Sequence, residues 1–355
     1  MAKQNGFFST RLIAWYLKNK RDLPWRKTKE PYKIWLSEII LQQTRVLQGM
    51  PYYISFTSKY PTVHQLAAAK EEEVLKLWQG LGYYSRARNL HFTSKIVANE
   101  LNGVFPQTYA ELKKLKGVGD YTASAIASIC FDKPTAVVDG NVYRVLSRVF
   151  NVALPINTGK GITYFKGLAQ ELIDHGQPGT YNQAVMEFGA RYCVPQNPDC
   201  AHCIFNDKCE AFKKNKVSQL PVKLKTLKTK KRYFNYLVVV SEDGKTLLEQ
   251  RKGKGIWQNL YQFPLVEASK DISEKQLIGT DGFKGFAETV SVKVITKHND
   301  TPIVHKLSHQ HLHTTFWIVE TTALGEMGVP VSTVGTYPVP VLVSKFLDGF
   351  RLKIE

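Results

Sequence analysis

The stretch from Leu115 to Ala123 constrains the fold of this chain more than any other. Two glycines, Gly117 and Gly119, stand directly before a run in which every third or fourth residue is apolar, the pattern of a half-buried helix. A helix also ends just before them, so the sequence predicts a helix–hairpin–helix over about 112–131. Glycines allow positive φ and close approach of a ligand to the backbone. Because N–H groups at a helix start attract anions, this turn can hold a phosphodiester.

Length and charge narrow the class of protein. The chain has 355 residues, enough for two domains, and a net charge of +18, which favours a polyanionic partner. The sequence has no apolar run near the length of a transmembrane helix and begins with no signal-peptide pattern. We therefore expect a cytoplasmic protein without a membrane partner, in a compartment where disulfides are rare.

Four of the five cysteines lie close together and therefore need another explanation. They are Cys193, Cys200, Cys203 and Cys209. In a reducing compartment this grouping indicates a metal site. Zinc favours four thiolates but usually takes them from two separated knuckles. A single compact loop is more typical of one [4Fe–4S] cluster, so the spacing leaves both metals open and favours iron–sulfur.

Two carboxylic acids are candidates for acid–base chemistry. Glu38 shares a helical apolar face with Ile34 and Leu41, and burial there would raise its pKa. A carboxyl that keeps its proton near neutral pH can act as a general acid, although a buried ion pair with Arg or Lys would also explain the position. Asp139 follows an apolar run and precedes Gly140, so it can face whatever the hairpin holds.

Two loops carry side chains suited to nucleic acid. An exposed Trp25–Arg26 pair can stack on a base or bind phosphate, or it can simply close the core. Tyrosines and arginines in loop 80–88 suit a single strand, or the loop can be packed by its own rings. The residues before that loop, 62–79, are predicted to form one helix.

The chain divides at a basic stretch. Residues 213–232 carry lysines and one arginine without an acid, which indicates a linker. Before it, 1–212 read as an all-α domain. After it, 233–355 read as an α+β domain, with strands 233–241 and 246–251 joined by a turn.

Taken together, the motifs resemble the adenine DNA glycosylase (MutY) family of the helix–hairpin–helix, or endonuclease III, superfamily. The resemblance rests on Leu23–Arg26, Ser37–Thr44, Gly80–Arg86, Leu115–Thr122, Val138–Val142 and the four-cysteine loop, in the family's order. Endonuclease III relatives have a Schiff-base lysine where this chain has Tyr121. The domain 233–355 is similar to a Nudix (MutT-like) fold, chiefly at Gly255–Pro264, but lacks the glutamates that bind metal in Nudix hydrolases.

The resemblance implies a monofunctional glycosylase that hydrolyses adenine mispaired with 8-oxoguanine (or guanine) in double-stranded DNA. In this reading Glu38 protonates the flipped-out adenine, and Asp139 stabilises or traps the oxocarbenium ion at C1′, leaving an abasic site. Tyr121 and Asn141 would orient these two acids. Such a pair of carboxyls matches the logic of retaining glycosidases.

The resemblance also implies roles for further residues. The adenine pocket would comprise Trp25, Arg26 and Gln183. Contacts to DNA would come from Gln43, Thr44, Leu81, Tyr83, Arg86, Gly117 and Gly119. 8-Oxoguanine would be recognised by Leu307, Ser308 and His309, with Leu307 departing from the family's phenylalanine. The four cysteines would hold a [4Fe–4S] cluster, and the protein would be a monomer at the bacterial nucleoid.

Three other functions remain open at this stage. A bifunctional endonuclease III-like glycosylase/lyase would need a lysine nucleophile, for which Lys116 and Lys133 are the nearest candidates. A non-catalytic DNA-damage binding module would have no need of buried acids. A Nudix pyrophosphohydrolase would need the missing glutamates. We also expect Asp120 to point away from a bound phosphate, and His305, His311 and His313 to be strand residues rather than a metal site.

Overall fold

A computed structural model describes residues 6–224 and 229–350. Residues 225–228, within the predicted linker, and both chain ends therefore lie outside the described residues. The remainder forms two compact units. The first comprises the chain up to Ala68 and from Asn89 to the linker, and the second comprises Ala69–Arg88 and the chain after the linker. The domain boundaries given above stay a prediction.

The first unit is helical. Its elements are α1 (Gly6–Asn19), α2 (Pro31–Leu41), α3 (Val46–Lys59), α4 (Val63–Ala68), the greater part of α6 (Ser85–Asn99), α7 (Tyr109–Leu112), α8 (Asp120–Phe131), α9 (Gly140–Val149), α10 (Gly159–Leu172), α11 (Pro178–Arg191) and α12 (Glu210–Lys213). Helix α8 packs against α2 and α11, and α11 also packs against α1 and α9. Large side chains are fully buried between these helices, among them Trp35, Phe165, Tyr181 and Phe188. The central helices α2, α8 and α9 are those that carry the candidate acids or lie next to them.

The single helix expected over 62–79 is wrong, because the chain breaks before Lys70. Helix α4 ends at Ala68, and Lys70 has extended backbone angles before α5 (Glu71–Leu77) begins. Three consecutive glutamates occupy the first turn of α5. Acidic side chains stabilise a helix start through the helix dipole, and this signal marks a second helix.

The second unit is built on a mixed sheet with strand order β5–β1–β8–β6, in which β7 also pairs with β8. Its strands are β1 (Lys230–Ser241), β5 (Leu265–Ala268), β6 (Val292–Lys297), β7 (Ile303–Lys306) and β8 (Gln310–Thr321). The long central strands β1 and β8 run parallel, with Lys230 opposite Gln310 and Ser241 opposite Thr321. Parallel strands need a crossover connection, and α13 (Glu274–Ile278) and α14 (Asp281–Thr289) lie in that connection.

The hairpin expected over 233–251 forms only in part. Strand β1 is as expected, but the second strand is reduced to β2 (Lys245–Thr246) and β3 (Glu249–Gln250). These pair with β9 (Val329–Pro330) and β4 (Tyr261–Gln262) rather than continuing a hairpin with β1. Strand β4 follows β3 closely along the chain, whereas β9 comes from a distant part of it, so the local alternation of residues could not reveal the pairing of β2. Helix α15 (Val341–Gly349) completes this unit.

Candidate active site

Glu38 is buried inside the helical unit. It lies on α2, which begins with Pro31 and is buried over most of its circumference, and Glu38 itself is 8% exposed. Burial raises the pKa of Glu38 to about 7. A hydrogen bond from Tyr121 and the charge of Arg26 act in the opposite direction, while the Asp139 carboxylate adds to the rise. The expected burial of this acid is confirmed, and near pH 7 it can both hold and release a proton.

Asp139 is fixed by the start of α9. Its Oδ1 accepts a hydrogen bond from the Val142 backbone N–H at 2.8 Å, and its Oδ2 accepts one from Asn141 Nδ2 at 2.8 Å. Burial raises the pKa of Asp139, and these hydrogen bonds oppose the rise. A carboxylate that caps a helix is held in one orientation, so Asp139 presents a fixed negative charge.

The chain leading to Asp139 is held by a side chain that the sequence did not single out. The Asn182 amide donates to Ser128 Oγ and to the Thr135 carbonyl oxygen, both at 2.8 Å, and accepts from the Val137 N–H at 3.1 Å. Asn182 is fully buried on α11. Its amide satisfies backbone groups of an irregular segment, and the only signal in the sequence is a polar residue on an apolar helix face.

The four predicted catalytic side chains come together. Glu38, Tyr121, Asp139 and Asn141 line one cavity of about 910 Å³. The Tyr121 hydroxyl lies 3.0 Å from Met186 Sδ as well as within reach of Glu38. Tyr121 as a whole is half-buried, but desolvation of its phenol raises the pKa of that group well above the ordinary value. It therefore serves as a neutral hydrogen-bond donor in this cavity.

Gln43 and Thr44 line the same cavity, at its α2–α3 edge. Gln43 has a positive φ of 53°, an arrangement that turns its backbone out of the α2 helix. The neighbouring Gln42 side chain donates to Thr122 Oγ1 at 3.2 Å, on the first turn of α8. The connection between α2 and α3 is therefore tied to the helix that carries Tyr121.

The three residues predicted to form an adenine pocket are partly linked. Arg26 lies over the ring of Tyr16, with 5.3 Å from its Cζ to the ring centroid, and the Tyr16 hydroxyl donates to Gln183 Oε1 at 2.5 Å. Trp25 is buried and packs edge-on against Tyr53. Tyr16 thus connects Arg26 and Gln183, a role with no local sequence signal.

The glycine hairpin has the expected form, with one difference. Gly117 has a φ of 81°, and a Cβ at this position would lie 2.8 Å from Asn89 Cβ. Gly119 has a φ of −89° and open space around it, so its backbone needs no glycine. Helix α6 supports the turn, because Thr93 Oγ1 donates to the Lys116 carbonyl oxygen at 2.8 Å.

Asp120 lies at the start of α8 and is held by cations. Its carboxylate forms ion pairs with Lys113, at 2.6 Å, and with Lys166, and it accepts from the Tyr109 hydroxyl at 2.8 Å. Hydrogen bonds from Lys113, Lys166 and Tyr109 hold the pKa of Asp120 far below its usual range. These partners neutralise a charge that would otherwise oppose a phosphate at the hairpin.

The four cysteines of the loop line one small cavity of about 20 Å³. Cys193 and Arg148 are in contact, with 3.5 Å between the thiol and a guanidinium nitrogen, and Cys209 Sγ lies 3.4 Å from the Arg148 carbonyl oxygen. Among residues 6–224 and 229–350, no group of three or more His, Cys, Asp or Glu side chains is arranged to hold a single metal ion. The four cysteines share a cavity that Phe188 and Phe205 also line, and a metal group bound by these cysteines would occupy that cavity.

Two residues expected to contact DNA are instead buried in the second unit. Arg86 is 8% exposed, lies over the Trp78 ring and donates to the carbonyl oxygens of Leu81 and Gly82, at 3.3 and 3.2 Å. Leu81 is also buried. Positive φ at Gly80, Gly82 and Tyr83 turns the loop sharply, and the Arg86 guanidinium supplies donors for the carbonyls that point inward. Arg86 and Leu81 therefore support the loop, and the contacts to DNA predicted for them stay a prediction.

Tyr83 is the exposed residue of that loop, at 48% exposure. Its hydroxyl makes a close hydrogen-bonding contact with Ser308 Oγ, and both residues belong to the second unit. Ser308 and His309 are exposed in the turn between β7 and β8, while Leu307 is half-buried and donates its N–H to the Gln310 carbonyl at 2.8 Å. Leu307 thus shapes the turn, and Ser308 and His309 are presented by it.

The Gly255–Pro264 stretch packs on the segment 69–88 within this unit. Asn259 Nδ2 donates to Glu71 Oε1 and the Tyr261 hydroxyl to Glu72 Oε1, both at 2.5 Å, and Arg88 donates to the Gln258 carbonyl at 2.9 Å. These contacts hold the base of the loop that carries Tyr83. Nearby on the sheet, His313 stacks on Tyr233 and His305 lies against Trp257.

Comparisons with known proteins agree with this architecture. The family model of the HhH-GPD superfamily base excision DNA repair proteins matches residues 36–159, and a NUDIX domain model matches residues 235–349. A thermostable thymine-DNA glycosylase is similar to the helical part, with a TM-score of 0.56 and 29% identity over 60% of this chain and 98% of that one. Endonuclease III trapped on DNA has the same fold, with a TM-score of 0.53 and 22% identity over 61% of this chain and 98% of that one. The protein is thus a helix–hairpin–helix base excision repair protein with a NUDIX domain after it, which confirms the predicted fold class.

The particular family follows from curated relatives. The adenine DNA glycosylase of Buchnera aphidicola (strain Bp) is 34% identical over 321 residues, which cover 88% of this chain and 86% of that protein. The mouse adenine DNA glycosylase is 45% identical over 222 residues, 60% of this chain, but the chain spans only 43% of that longer protein. The chain belongs to the adenine DNA glycosylase family, as its motifs predicted. Its described helices include none with the length and apolarity needed to cross a bilayer.

Proposed function

We propose that this protein is a monofunctional DNA glycosylase that hydrolyses adenine mispaired with 8-oxoguanine, or with guanine, in double-stranded DNA. The observation that carries the proposal is the pair Glu38, which is buried, and Asp139, which is half-buried, because both line one cavity. The relatives named above are adenine DNA glycosylases. A base that is stacked in a duplex cannot reach acids inside a cavity, so the reaction requires base flipping.

Glu38 is proposed as the general acid. Its pKa of about 7 leaves a large protonated fraction at neutral pH. Donation of that proton to N7 of the flipped adenine makes the base a better leaving group. The Tyr121 hydroxyl donates a hydrogen bond to the ionised Glu38 carboxylate. This bond holds Glu38 in place and stabilises the negative charge that remains after Glu38 has given its proton to the base.

Asp139 is proposed to act on the sugar. When the bond between C1′ and the base breaks, positive charge develops on C1′ and the ring oxygen. The Asp139 carboxylate, fixed by the N–H of Val142 and by Asn141, stabilises that charge without having to reorganise. Water then adds at C1′ and gives a proton to the Glu38 carboxylate that the first step left, so an abasic site remains. If Asp139 has bonded to C1′ as a transient nucleophile, that bond breaks as the water oxygen bonds to C1′.

The proposal that the enzyme is monofunctional rests on which side chains line the cavity and could act as nucleophiles. Within the described part of the chain, no lysine lines the cavity of Glu38 and Asp139. Lys116 extends over the exposed Phe92 ring on α6, 4.3 Å from its centroid. Tyr121 occupies the position at which a Schiff-base lysine would act, and its raised phenol pKa excludes nucleophilic phenolate at neutral pH.

The DNA contacts are proposed for the groups that the structure leaves accessible. The backbone at Gly117 and Gly119 would present a helix start to a phosphate. Gln43 and Thr44 in the first unit, and Tyr83 in the second, are each proposed to contact DNA. Leu81 and Arg86 would act indirectly, by holding the loop of Tyr83. The monomeric state and the location at the bacterial nucleoid stay predictions.

The four-cysteine loop is proposed to hold a [4Fe–4S] cluster. Its donor set fits, because four thiols surround one cavity and the Arg148 guanidinium offsets part of the negative charge of the thiolates. Such a cluster supplies a rigid crosslink for the loop, with no part in hydrolysis. Equal amounts of iron and acid-labile sulfide in the purified protein are expected, and stoichiometric zinc without iron would contradict the assignment.

Recognition of 8-oxoguanine is proposed for the turn of Ser308 and His309. Replacing Ser308 with Ala is expected to lower the preference for 8-oxoguanine over guanine opposite adenine by about fivefold, since one hydrogen bond contributes about 1 kcal/mol. Tyr83→Phe, which removes only the hydroxyl that contacts Ser308, is expected to act in the same direction. The measurement is the ratio of single-turnover rates on the two duplexes. Ser269→Ala, at an exposed serine of the same unit, is the control. An unchanged ratio in both test variants would show that Ser308 takes no part in recognising 8-oxoguanine.

A single-turnover assay tests the function directly. A duplex with adenine opposite 8-oxoguanine is incubated with excess protein, and strand breaks are measured with and without alkali. Breaks only after alkali are the expected result, because hydrolysis leaves an abasic site. Breaks without alkali would indicate a lysine nucleophile, as in a glycosylase/lyase. Tight binding without base release would indicate a binding module instead.

A further inference from the structure

A further buried acid lies in the helical unit and has no role in the reaction described above. Glu187, on α11, is 1% exposed. Its Oε1 accepts from Arg21 Nε at 2.8 Å and from the Arg21 backbone N–H at 3.1 Å. Its Oε2 accepts from Arg21 Nη2 at 2.6 Å and from Arg26 Nη2 at 2.8 Å. One carboxylate therefore holds two guanidinium groups.

Glu187 is ionised at neutral pH. Burial alone would raise its pKa, but the hydrogen bonds from Arg21 and Arg26 outweigh burial and lower the pKa to about 2. Removal of one partner from a buried ion pair leaves a charge without compensation. Loss of the negative charge at Glu187 would therefore leave the charges of both arginines without their common partner.

The two arginines connect Glu187 to the reaction centre. Arg21 lines the same cavity as Glu38 and Asp139. Arg26 donates to the Arg21 carbonyl oxygen at 3.2 Å and lies over the Tyr16 ring. The positive charge of Arg26 favours the ionised form of Glu38 and so opposes the effect of burial.

Titratable groups from several described helices act on the two acids. Glu38 on α2 faces Tyr121 and Cys130 from α8, Asp139 from the start of α9, and Arg26. Glu187 faces Arg21, Arg26 and, from α1, Tyr16. Arg26 belongs to both sets, so a change of charge at Glu187 reaches Glu38 through Arg26.

We propose that Glu187 is a positioning residue, which fixes the Arg26 guanidinium at the adenine pocket and neutralises its charge so that Glu38 remains a proton donor at neutral pH. The inference rests on the proposed glycosylase function. Gln183 supports it, because Gln183 lies one helical turn before Glu187 on α11 and is tied to Arg26 through Tyr16. Gln183 and Glu187 thus lie on the same face of α11.

The test is the pH dependence of single-turnover adenine release from the duplex with 8-oxoguanine, between about pH 5 and about pH 9. In the wild type the rate falls on the alkaline side as Glu38 loses its proton. Glu187→Gln keeps the size and hydrogen-bonding oxygen of the side chain but removes its charge. The positive charge of Arg26 is then uncompensated, and the alkaline limb is expected to move to lower pH by about one unit.

Two further variants separate charge from structure. Arg26→Gln removes the cation that favours ionised Glu38, so its alkaline limb is expected to move to higher pH, the opposite direction. The double variant Arg26→Gln, Glu187→Gln has lost both charges. Its alkaline limb is therefore expected to lie closer to the wild-type limb than the alkaline limb of Glu187→Gln does. Glu171→Gln, the same substitution at an exposed position on α10, is the control with an unmoved limb.

The outcomes distinguish this inference from the proposed function. If the wild type releases no adenine, the function itself is wrong. If the wild type is active and Glu187→Gln is only slower, with an alkaline limb that superimposes on the wild type, Glu187 is structural and the inference is overturned. If Glu187→Gln does not fold, Arg26→Gln decides, because an unmoved limb in that variant overturns the inference equally.

Discussion

Glu38→Gln is expected to lower the single-turnover rate of adenine release by about 10²–10⁴-fold, the usual contribution of a general acid, while the variant still binds the mismatched duplex. Glutamine fills the same volume on α2 and can accept the hydrogen bond from Tyr121. It has no titratable proton to give to the base. The measurement pairs the rate with the dissociation constant of the same duplex, so that lost chemistry is separated from lost binding.

The same variant is expected to be more stable than the wild type at alkaline pH. The folded-state pKa of Glu38, about 7, lies above its ordinary value of 4.5. The folded protein therefore binds the proton more tightly, and ionisation between these two values destabilises it. The penalty is absent below about pH 4.5 and reaches about 3 kcal/mol above about pH 7. Denaturant unfolding of Glu38→Gln should accordingly show a gain at about pH 8 that disappears towards about pH 4.

Glu30→Gln provides the matched control. Glu30 precedes α2, is exposed, and pairs with Lys33 at 2.8 Å. The same substitution there removes a charge from the surface, so its rate is expected to stay within about twofold of the wild type, as surface ion pairs contribute little. Glu38→Gln with wild-type turnover would exclude Glu38 as the acid.

Local patterns in the sequence were sufficient for the hairpin and for the burial of Glu38. Each depends on residues within one or two helical turns: two glycines before an apolar helix face, and an acid between Ile34 and Leu41. The cysteine loop is similarly local, and its four thiols do line one cavity. Such features can be inferred because helical periodicity and backbone conformation are set by near neighbours.

The residues that position the acids could not be found in this way. Asn182 holds the segment before Asp139 from 45 residues away along the chain, and Arg21 and Glu187 are separated by 166. A buried polar group is satisfied by whichever partner the fold brings near it, and no local spacing records that choice. Arg86 likewise has contacts that its local pattern did not indicate, because its guanidinium donates to the carbonyls of its own loop.

The segment 69–88 is the largest feature that the sequence did not reveal. It lies between helices of the first unit along the chain, yet it packs with the second unit, where Glu71 and Glu72 accept hydrogen bonds from the Gly255–Pro264 stretch. The two hydrogen-bonded pairs are separated by 188 and 189 residues along the chain. Contacts of this range carry no periodic signal, so a boundary inferred from composition falls at the linker alone.

Asp139→Asn is expected to lower the rate of adenine release by about 10³-fold, the upper range for loss of one preorganised electrostatic group. The asparagine oxygen can still accept from the Val142 N–H, so the start of α9 is retained. The negative charge that faces C1′ is lost. Because burial already disfavours ionised Asp139 and raises its pKa, removal of the charge should leave the thermal stability near that of the wild type or above it.

The pH dependence gives this prediction a second signature. The wild type needs Asp139 ionised and Glu38 protonated, so its rate should fall at low pH through the pKa of Asp139 and at high pH through that of Glu38. Asp139→Asn should lose the acidic limb. It should keep an alkaline limb, moved to lower pH because the Asp139 charge helps to raise the pKa of Glu38. Asp132→Asn is the matched control, since Asp132 lies in the same connection, is exposed, and pairs only with Lys29 among the contacts described. A rate for Asp139→Asn within about tenfold of the wild type, with both limbs intact, would mean that the cation at C1′ is stabilised by another group, because a preorganised charge is worth more than that.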